Sequence, residues 1–192
     1  MFLENTKHKS QHSGWIEVIA GSMFSGKTEE LLRRLKRATI AGQKVEVFKP
    51  QADKRYSERD VVSHDANQTR STPVPSPWDI LERANGCEVV GIDEAQFFAP
   101  ELVEVCRRLA DQGRRVVVAG LDMDFRGHPF GPMPQLMACA EYVTKVHAIC
   151  IRCGALAHFS HRTLPNQELV MLGQTDTYEP LCRTCYNDAQ RP

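Results

Sequence analysis

At 192 residues the chain is one domain with room for a small appendage, and its 42% hydrophobic and 25% charged residues exclude a disordered or fibrous protein. Its 24 basic and 24 acidic residues cancel, which argues against a nucleic-acid partner, because a phosphate backbone selects a basic surplus. No apolar run approaches the ~20 residues needed to cross a bilayer, so no membrane association is expected.

Residues 1–13 are polar (Lys7, His8, Lys9, Ser10, Gln11, His12) and lack a signal peptide's apolar stretch. They read as a loose tail, and the expected location is the cytoplasm, where the seven cysteines stay reduced or bind metal. Residues 15–20 form a short buried strand, followed by Gly21-Ser22-Met23-Phe24-Ser25-Gly26-Lys27-Thr28, a P-loop, and a helix over 27–41. Leu31, Leu32 and Leu35 make that helix's apolar face, with Arg33, Arg34, Lys36 and Arg37 on the other. Strand, glycine loop and helix are the context a phosphate site requires. The two glycines let backbone N–H groups converge on phosphate oxygens, and the helix N-terminus adds partial positive charge. Lys27 would reach the β/γ-phosphates and the Thr28 hydroxyl would ligate magnesium.

Further apolar runs at 44–48, 88–92 and 115–119, rich in Val and Ile without alternation, suit a parallel sheet covered on both faces. A second helix is expected at 100–112, and Gly42 and Gly113 stand where helices end. The stretch 49–71 is polar, and 72–77 is a stiff proline-rich connection. The run at 88–92 ends in Asp93-Glu94-Ala95-Gln96, the Walker-B arrangement, which sets a carboxylate at the carboxyl edge of the sheet near the Thr28 magnesium. Glu94 follows directly and faces elsewhere. It would polarise water in an ATPase or accept a substrate hydroxyl's proton in a kinase. The run at 115–119 leads to nothing special by itself, although Phe125 and Phe130 fall in a Gly/Pro-rich stretch that suits a site loop.

From Cys150 the periodicity fades. Cys150-Ile151-Arg152-Cys153 and Cys182-Arg183-Thr184-Cys185 are two Cys-x-x-Cys knuckles separated by 28 residues. Four thiolates in this arrangement favour one tetrahedral, structural zinc with no open coordination position. The separation exceeds the ~15–20 residues of common ribbons, so a long loop leaves and returns between the knuckles. His158 and His161 are alternative ligands that a complete cysteine set does not need. Cys87, Cys106 and Cys139 are expected to be small core residues.

P-loop, Asp-Glu-Ala-Gln-Phe-Phe and paired zinc knuckles, in this order from Gly14 to Tyr186, closely resemble the zinc-containing (type II) thymidine kinase family. Lys49-Pro50, Asp53-Lys54-Arg55-Tyr56, Gly120-Leu121-Asp122 with Phe125, and Tyr178 four residues before Cys182 add to the likeness. The resemblance implies an α/β fold: a P-loop NTPase (RecA-like) parallel sheet flanked by helices over 14–147, with a small zinc-binding domain carrying a lasso loop over 148–192. It implies an enzyme that passes the γ-phosphoryl group of ATP to the 5′-hydroxyl of thymidine, with magnesium and one structural zinc, as a homotetramer. Gly21 to Thr28 would hold the ATP phosphates. Asp53, Lys54 and Arg55, with Asp93, Glu94, Ala95 and Gln96, would complete the phosphate and magnesium site. Glu94 would be the catalytic base. Phe125 and Tyr178 would contact the nucleoside, and Leu169, Val170, Met171, Leu172 and Gly173 would bind the base through backbone groups. Met23, Leu121 and Ser160 match positions around the pyrimidine methyl. Two departures stand out: Ala95 where many relatives have glycine, and Ser160 where some have threonine. Two other readings use the same motifs: an ATPase in which Glu94 activates water, and a zinc-ribbon nucleic-acid module driven by the P-loop.

Overall fold

The computed structural model describes residues 14–51, 60–62, 68–163 and 177–191. In chain order its elements are β1 (Trp15–Gly21), α1 (Lys27–Ile40), β2 (Val45–Pro50), β3 (Asp60–Val62), β4 (Gln68–Arg70), β5 (Thr72–Val74), α2 (Pro77–Arg83) and β6 (Val89–Ile92). A 3-10 turn (Ala95–Phe97) leads to α3 (Leu102–Asp111), β7 (Arg115–Leu121), α4 (Met133–Cys139) and β8 (Tyr142–Val146). Last come β9 (Ala148–Ile149), β10 (Leu156–Ala157), β11 (Phe159–Arg162), β12 (Tyr178–Leu181) and α5 (Arg183–Ala189).

One sheet has the strand order β5-β2-β6-β7-β1-β8, with every pairing parallel. This is the α/β fold expected from the alternation of strands and helices, and it fits the P-loop type that the resemblance implies. Side chains alternate across the strands, so each face has its own core. Ile16, Val18 and Ala20 of β1 with Val116 and Val118 of β7 meet residues of α2, α3 and α4, among them Ile80, Leu102, Val105, Leu109 and Leu136. Ile19, Val117 and Ala119 face α1 through Leu31, Leu32, Leu35 and Ala38.

The α1 face also holds charge. Arg34, placed by its sequence context on the polar face of α1, is fully buried. Its Nη1 donates to Glu17 Oε2 at 2.9 Å, its Nε to Glu30 Oε1 at 2.8 Å and its Nη2 to Thr144 Oγ1 at 2.9 Å. Arg115 Nε donates to Glu17 Oε1 at 2.6 Å, and Trp15 Nε1 to the same oxygen at 2.7 Å. Two guanidinium groups thus share one buried carboxylate under the helix that follows the P-loop.

The proline-rich stretch differs from expectation. Thr72–Val74 is the edge strand β5, paired with Phe48 to Pro50 of β2. An edge strand tolerates proline because one row of its N–H groups has no partner strand. Ser76 and Pro77 then start α2: Ser76 Oγ accepts from Trp78 N, Asp79 closes a capping box, and Pro77 fills the first turn. At the other edge, β8 is half exposed and reads Tyr-Val-Thr-Lys-Val, too polar to stand out as an apolar run.

After β8 the chain leaves the main sheet. β9 pairs with β10 and β11 with β12, both antiparallel. With α5 they enclose a small core of Ala148, Cys150, Ala157, Phe159, Leu181 and Tyr186.

Candidate functional site

β1 delivers the P-loop to the carboxyl edge of the sheet, and Gly26 closes it at φ 80°, a left-handed conformation that caps α1 where a side chain would be strained. Inside the loop Ser25 Oγ donates to the Ser22 carbonyl at 2.7 Å, and Lys27 Nζ donates to the same carbonyl at 2.7 Å. The loop is therefore preshaped and its ammonium is already turned inward. Met23 and Ser25 to Thr28 are half-buried, Ser22 is buried and Phe24 is exposed with φ 62°.

β6 delivers the carboxylates. β7 runs between β1 and β6, so the two loops leave the sheet two strand spacings apart, ~10 Å. The first turn of α1 closes that gap: Thr28 Oγ1 donates to Asp93 Oδ2 at 3.2 Å. Asp93 is buried, and its burial, together with the neighbouring Glu94 carboxylate, pushes its pKa up to about 7 against the lowering influence of Lys27 and Thr28. A buried carboxylate poised so high, beside a hydroxyl, is a site that a divalent cation would stabilise. The donor set suits magnesium, which takes oxygen ligands from one or two side chains and from phosphates.

Glu94 itself sits at φ 52°, left-handed for a non-glycine residue, a strain of order 1–3 kcal/mol. Its carboxylate is held by Gln96, whose Nε2 donates to Glu94 Oε2 at 2.5 Å. Gln96 Oε1 in turn accepts from Leu121 N at 2.9 Å, which ties the acid to the end of β7. Gly120 makes room for this: a Cβ there would lie 2.9 Å from Gln96 Oε1 and 2.6 Å from Met133 Sδ. Ala95 is buried, and the left-handed position is Glu94 before it, so an alanine at 95 is compatible with this turn.

The end of β7 carries Gly120, Leu121 and Asp122, with Phe125 in the loop that follows. Asp122 is buried with Lys145 Nζ at 2.8 Å from its Oδ2. Asp124 Oδ1 accepts from the N–H groups of Arg126 and His128, each at 2.9 Å, and folds the loop that presents Phe125. The Arg162 guanidinium lies 3.8 Å from the Phe125 ring centroid, and its Nη2 donates to the Tyr178 hydroxyl at 2.6 Å. Ser160 Oγ accepts from Met23 N at 2.9 Å, so the C-terminal strands touch the P-loop directly. Phe125, Tyr178, Met23, Leu121 and Ser160 are thereby gathered beside the P-loop end of the sheet. Arg162 and Asp124 were missed by sequence reasoning. The Asp-x-x-Gly spacing of a turn is the signal for Asp124, whereas Arg162 has no local signal, because Phe125 is 37 positions away. Asp53, Lys54 and Arg55, and the stretch Leu169, Val170, Met171, Leu172 and Gly173, lie outside the described residues.

Farther along, the Sγ atoms of Cys150, Cys153, Cys182 and Cys185 all lie within 4.8 Å of one another. Tetrahedral zinc with ~2.3 Å bonds needs sulfurs just under 4 Å apart, so the donor set and its spread fit this ion. Burial opposes ionisation of Cys150, but the N–H groups of Cys182, Arg152 and Cys153 outweigh it and lower the thiol to about 6. Hydrogen bonds with Cys153 and Cys182 raise Cys185 to about 12. One early thiolate within a thiol cluster is a start for metal capture. Of the other three cysteines, Cys106 is buried, and Cys87 and Cys139 are half-buried.

Comparison with known proteins gives a consistent picture. A family model described as Thymidine kinase matches residues 14–186. The chain is 61% identical over 186 residues to a protein named Thymidine kinase from Bacteroides thetaiotaomicron, covering 97% of this chain and 94% of that one. It is 60% identical over 190 residues to a Thymidine kinase of Porphyromonas gingivalis (99% and 93% covered) and 64% identical over 173 residues to one from Rhodothermus sp. (90% and 81%).

Proposed function

Because this chain belongs to the thymidine kinase family, we propose that it transfers the γ-phosphoryl group of ATP to the 5′-hydroxyl of thymidine, giving thymidine monophosphate. The observation that carries the reading is the junction at the carboxyl edge of the sheet. There Thr28 donates to Asp93, Lys27 before it is held to the Ser22 carbonyl of the phosphate loop, and Glu94, in a left-handed backbone conformation, stands next in the chain.

Catalysis is then positioning and charge neutralisation. The Gly21–Thr28 backbone N–H groups and Lys27 bind the β- and γ-phosphates, with Arg55 and its neighbours Asp53 and Lys54 closing the phosphate site. Thr28 and Asp93 would hold magnesium, which neutralises phosphate charge when bound. Glu94, oriented by Gln96, accepts the proton of the 5′-hydroxyl, and a group held rigidly loses no entropy at the moment of reaction. Phe125 and Tyr178 enclose the nucleoside, Met23, Leu121 and Ser160 surround the methyl, and residues 169–173 read the base through the main chain. Cys150, Cys153, Cys182 and Cys185 would hold one zinc, which would staple the base of the lasso.

Residues 14–147 would form the ATP-binding domain and 148–192 the zinc-binding one, after a tail over 1–13. Among the described residues no helix is long and apolar enough to cross a membrane. We place the enzyme in the cytoplasm as a homotetramer, which sedimentation equilibrium tests: a fully active monomer at micromolar concentration refutes the assembly. ATP consumption measured with and without thymidine tests the activity. It should depend on thymidine, whereas equal consumption without nucleoside would make the protein an ATPase in which Glu94 activates water.

A further inference from the structure

Ser160 and Arg162 are two residues apart on β11 and so share one face of that strand. That face is turned toward the site: Ser160 meets the P-loop at Met23 N, and Arg162 meets Phe125 and Tyr178. Arg162 is 6% exposed. Its guanidinium carbon lies 3.8 Å from the Phe125 centroid and 5.2 Å from that of Tyr178. Nε and Nη2 donate to the Tyr178 hydroxyl at 3.1 and 2.6 Å.

The three residues come from distant parts of the chain. Phe125 belongs to the loop after β7, Arg162 ends β11, and Tyr178 begins β12 directly opposite it. A guanidinium keeps its charge even when buried, and its planar fork offers both ring stacking and paired donors. The Phe125 ring face receives the cation, while the two N–H groups take up both lone pairs of the phenol oxygen. The Tyr178 hydroxyl is thereby committed as a donor, and its ring is fixed relative to Phe125.

We propose that Arg162 is a positioning residue for the nucleoside, locking Phe125 and Tyr178 into one rigid wall of the thymidine pocket without itself touching the phosphates. This rests on the reading of Phe125 and Tyr178 as nucleoside contacts given above. A wall assembled in advance saves thymidine the cost of ordering it, so the effect belongs in thymidine binding and not in ATP binding.

Steady-state kinetics of the full-length, zinc-loaded wild type, Arg162→Lys and Arg162→Met test the idea, each with its melting temperature. Arg162→Met should raise KM for thymidine about 10- to 100-fold, since it removes a desolvated cation–π contact and two charge-assisted hydrogen bonds, with KM for ATP within about two-fold. Arg162→Lys keeps the cation and one donor and should fall between. A thymidine KM for Arg162→Met within two-fold of wild type would overturn the proposal. So would a parallel rise of both KM values with a lowered melting temperature, the mark of general loosening. If Arg162→Met does not fold, Tyr178→Phe combined with Arg162→Lys decides. Thymidine KM should be no worse in the double variant than in the worse single one, and additive losses would contradict the lock. A wild type that does not phosphorylate thymidine would instead sink the assigned reaction, and with it this inference.

Discussion

Glu94 is where backbone strain and the proposed chemistry coincide. A glutamate at φ 52° is a costly choice, and it persists because Gln96, itself tied to Leu121 N, over-determines the turn. Replacing Glu94 with Gln keeps the shape but removes the proton acceptor. Turnover should fall by ~10²–10⁴ while ATP affinity stays unchanged. A variant that keeps more than half the wild-type turnover would show that another group takes the proton. Residues such as Gly26, Lys27, Thr28 and Asp93 were legible because their chemistry is local: a left-handed glycine, a phosphate lysine and a strand-end carboxylate announce themselves within eight positions or at one strand's end. Arg162 and Lys145 were not, since each acts on a partner brought near only by the fold.

Among elements, α1 is the one that matters most to the phosphate site, and it is anchored by charge as well as by leucines. Leu31, Arg34, Leu35 and Ala38 follow helical i, i+3, i+4, i+7 spacing, so the buried face is written in the sequence with an arginine in one of its places. Glu17, midway along β1, is its counterpart, and an acid inside an apolar strand was the sign of it. Truncating Glu17 to Ala would leave the Arg34 and Arg115 guanidinium groups buried without their shared carboxylate. Such a break costs ~3–5 kcal/mol, read as a lower urea midpoint. A loss below ~1 kcal/mol would mean that water or Glu30 replaces the partner. Glu30 adds a pH dependence. The hydrogen bond from Arg33 chiefly, and Arg34 after it, hold its pKa below the ordinary 4.5 against partial burial. Its contribution is present above that ordinary value and is lost as pH falls through the lowered one. β5 and β8, both sheet edges, were the elements least visible in advance, because half-exposed strands need neither apolar runs nor freedom from proline.

At the scale of the molecule, the zinc-binding segment is a small body seated on a large one. Among the described residues six buried ones make its core, and it reaches the P-loop through Ser160 to Met23 and the Phe125 loop through Tyr186, whose hydroxyl donates to the Phe125 carbonyl at 2.9 Å. So small a core needs a staple, which the four sulfurs supply when zinc is bound. Elemental analysis should find one zinc per chain. Cys185→Ser should lose it and raise KM for thymidine more than for ATP, because the metal would close the base of the segment proposed to bind the nucleoside. Fully active protein free of metal would contradict that role. The fold class was legible from alternating strands and helices, whereas the seating of the zinc segment on the P-loop was not, since it rests on long-range contacts such as Ser160 with Met23.

The most direct measurement is kcat/KM for phosphoryl transfer from magnesium ATP across a panel of nucleosides. A pocket that reads a pyrimidine edge through main-chain groups should favour thymidine. Deoxyuridine loses only a methyl contact, ~1–3 kcal/mol at most, and should follow. Deoxycytidine presents a donor where thymidine has an acceptor, leaving a buried backbone group unpaired, and purines do not fit, so both should fall far behind. Thymidine first, deoxyuridine second and the rest distant is the predicted order. Deoxycytidine or deoxyadenosine used as efficiently as thymidine would contradict it.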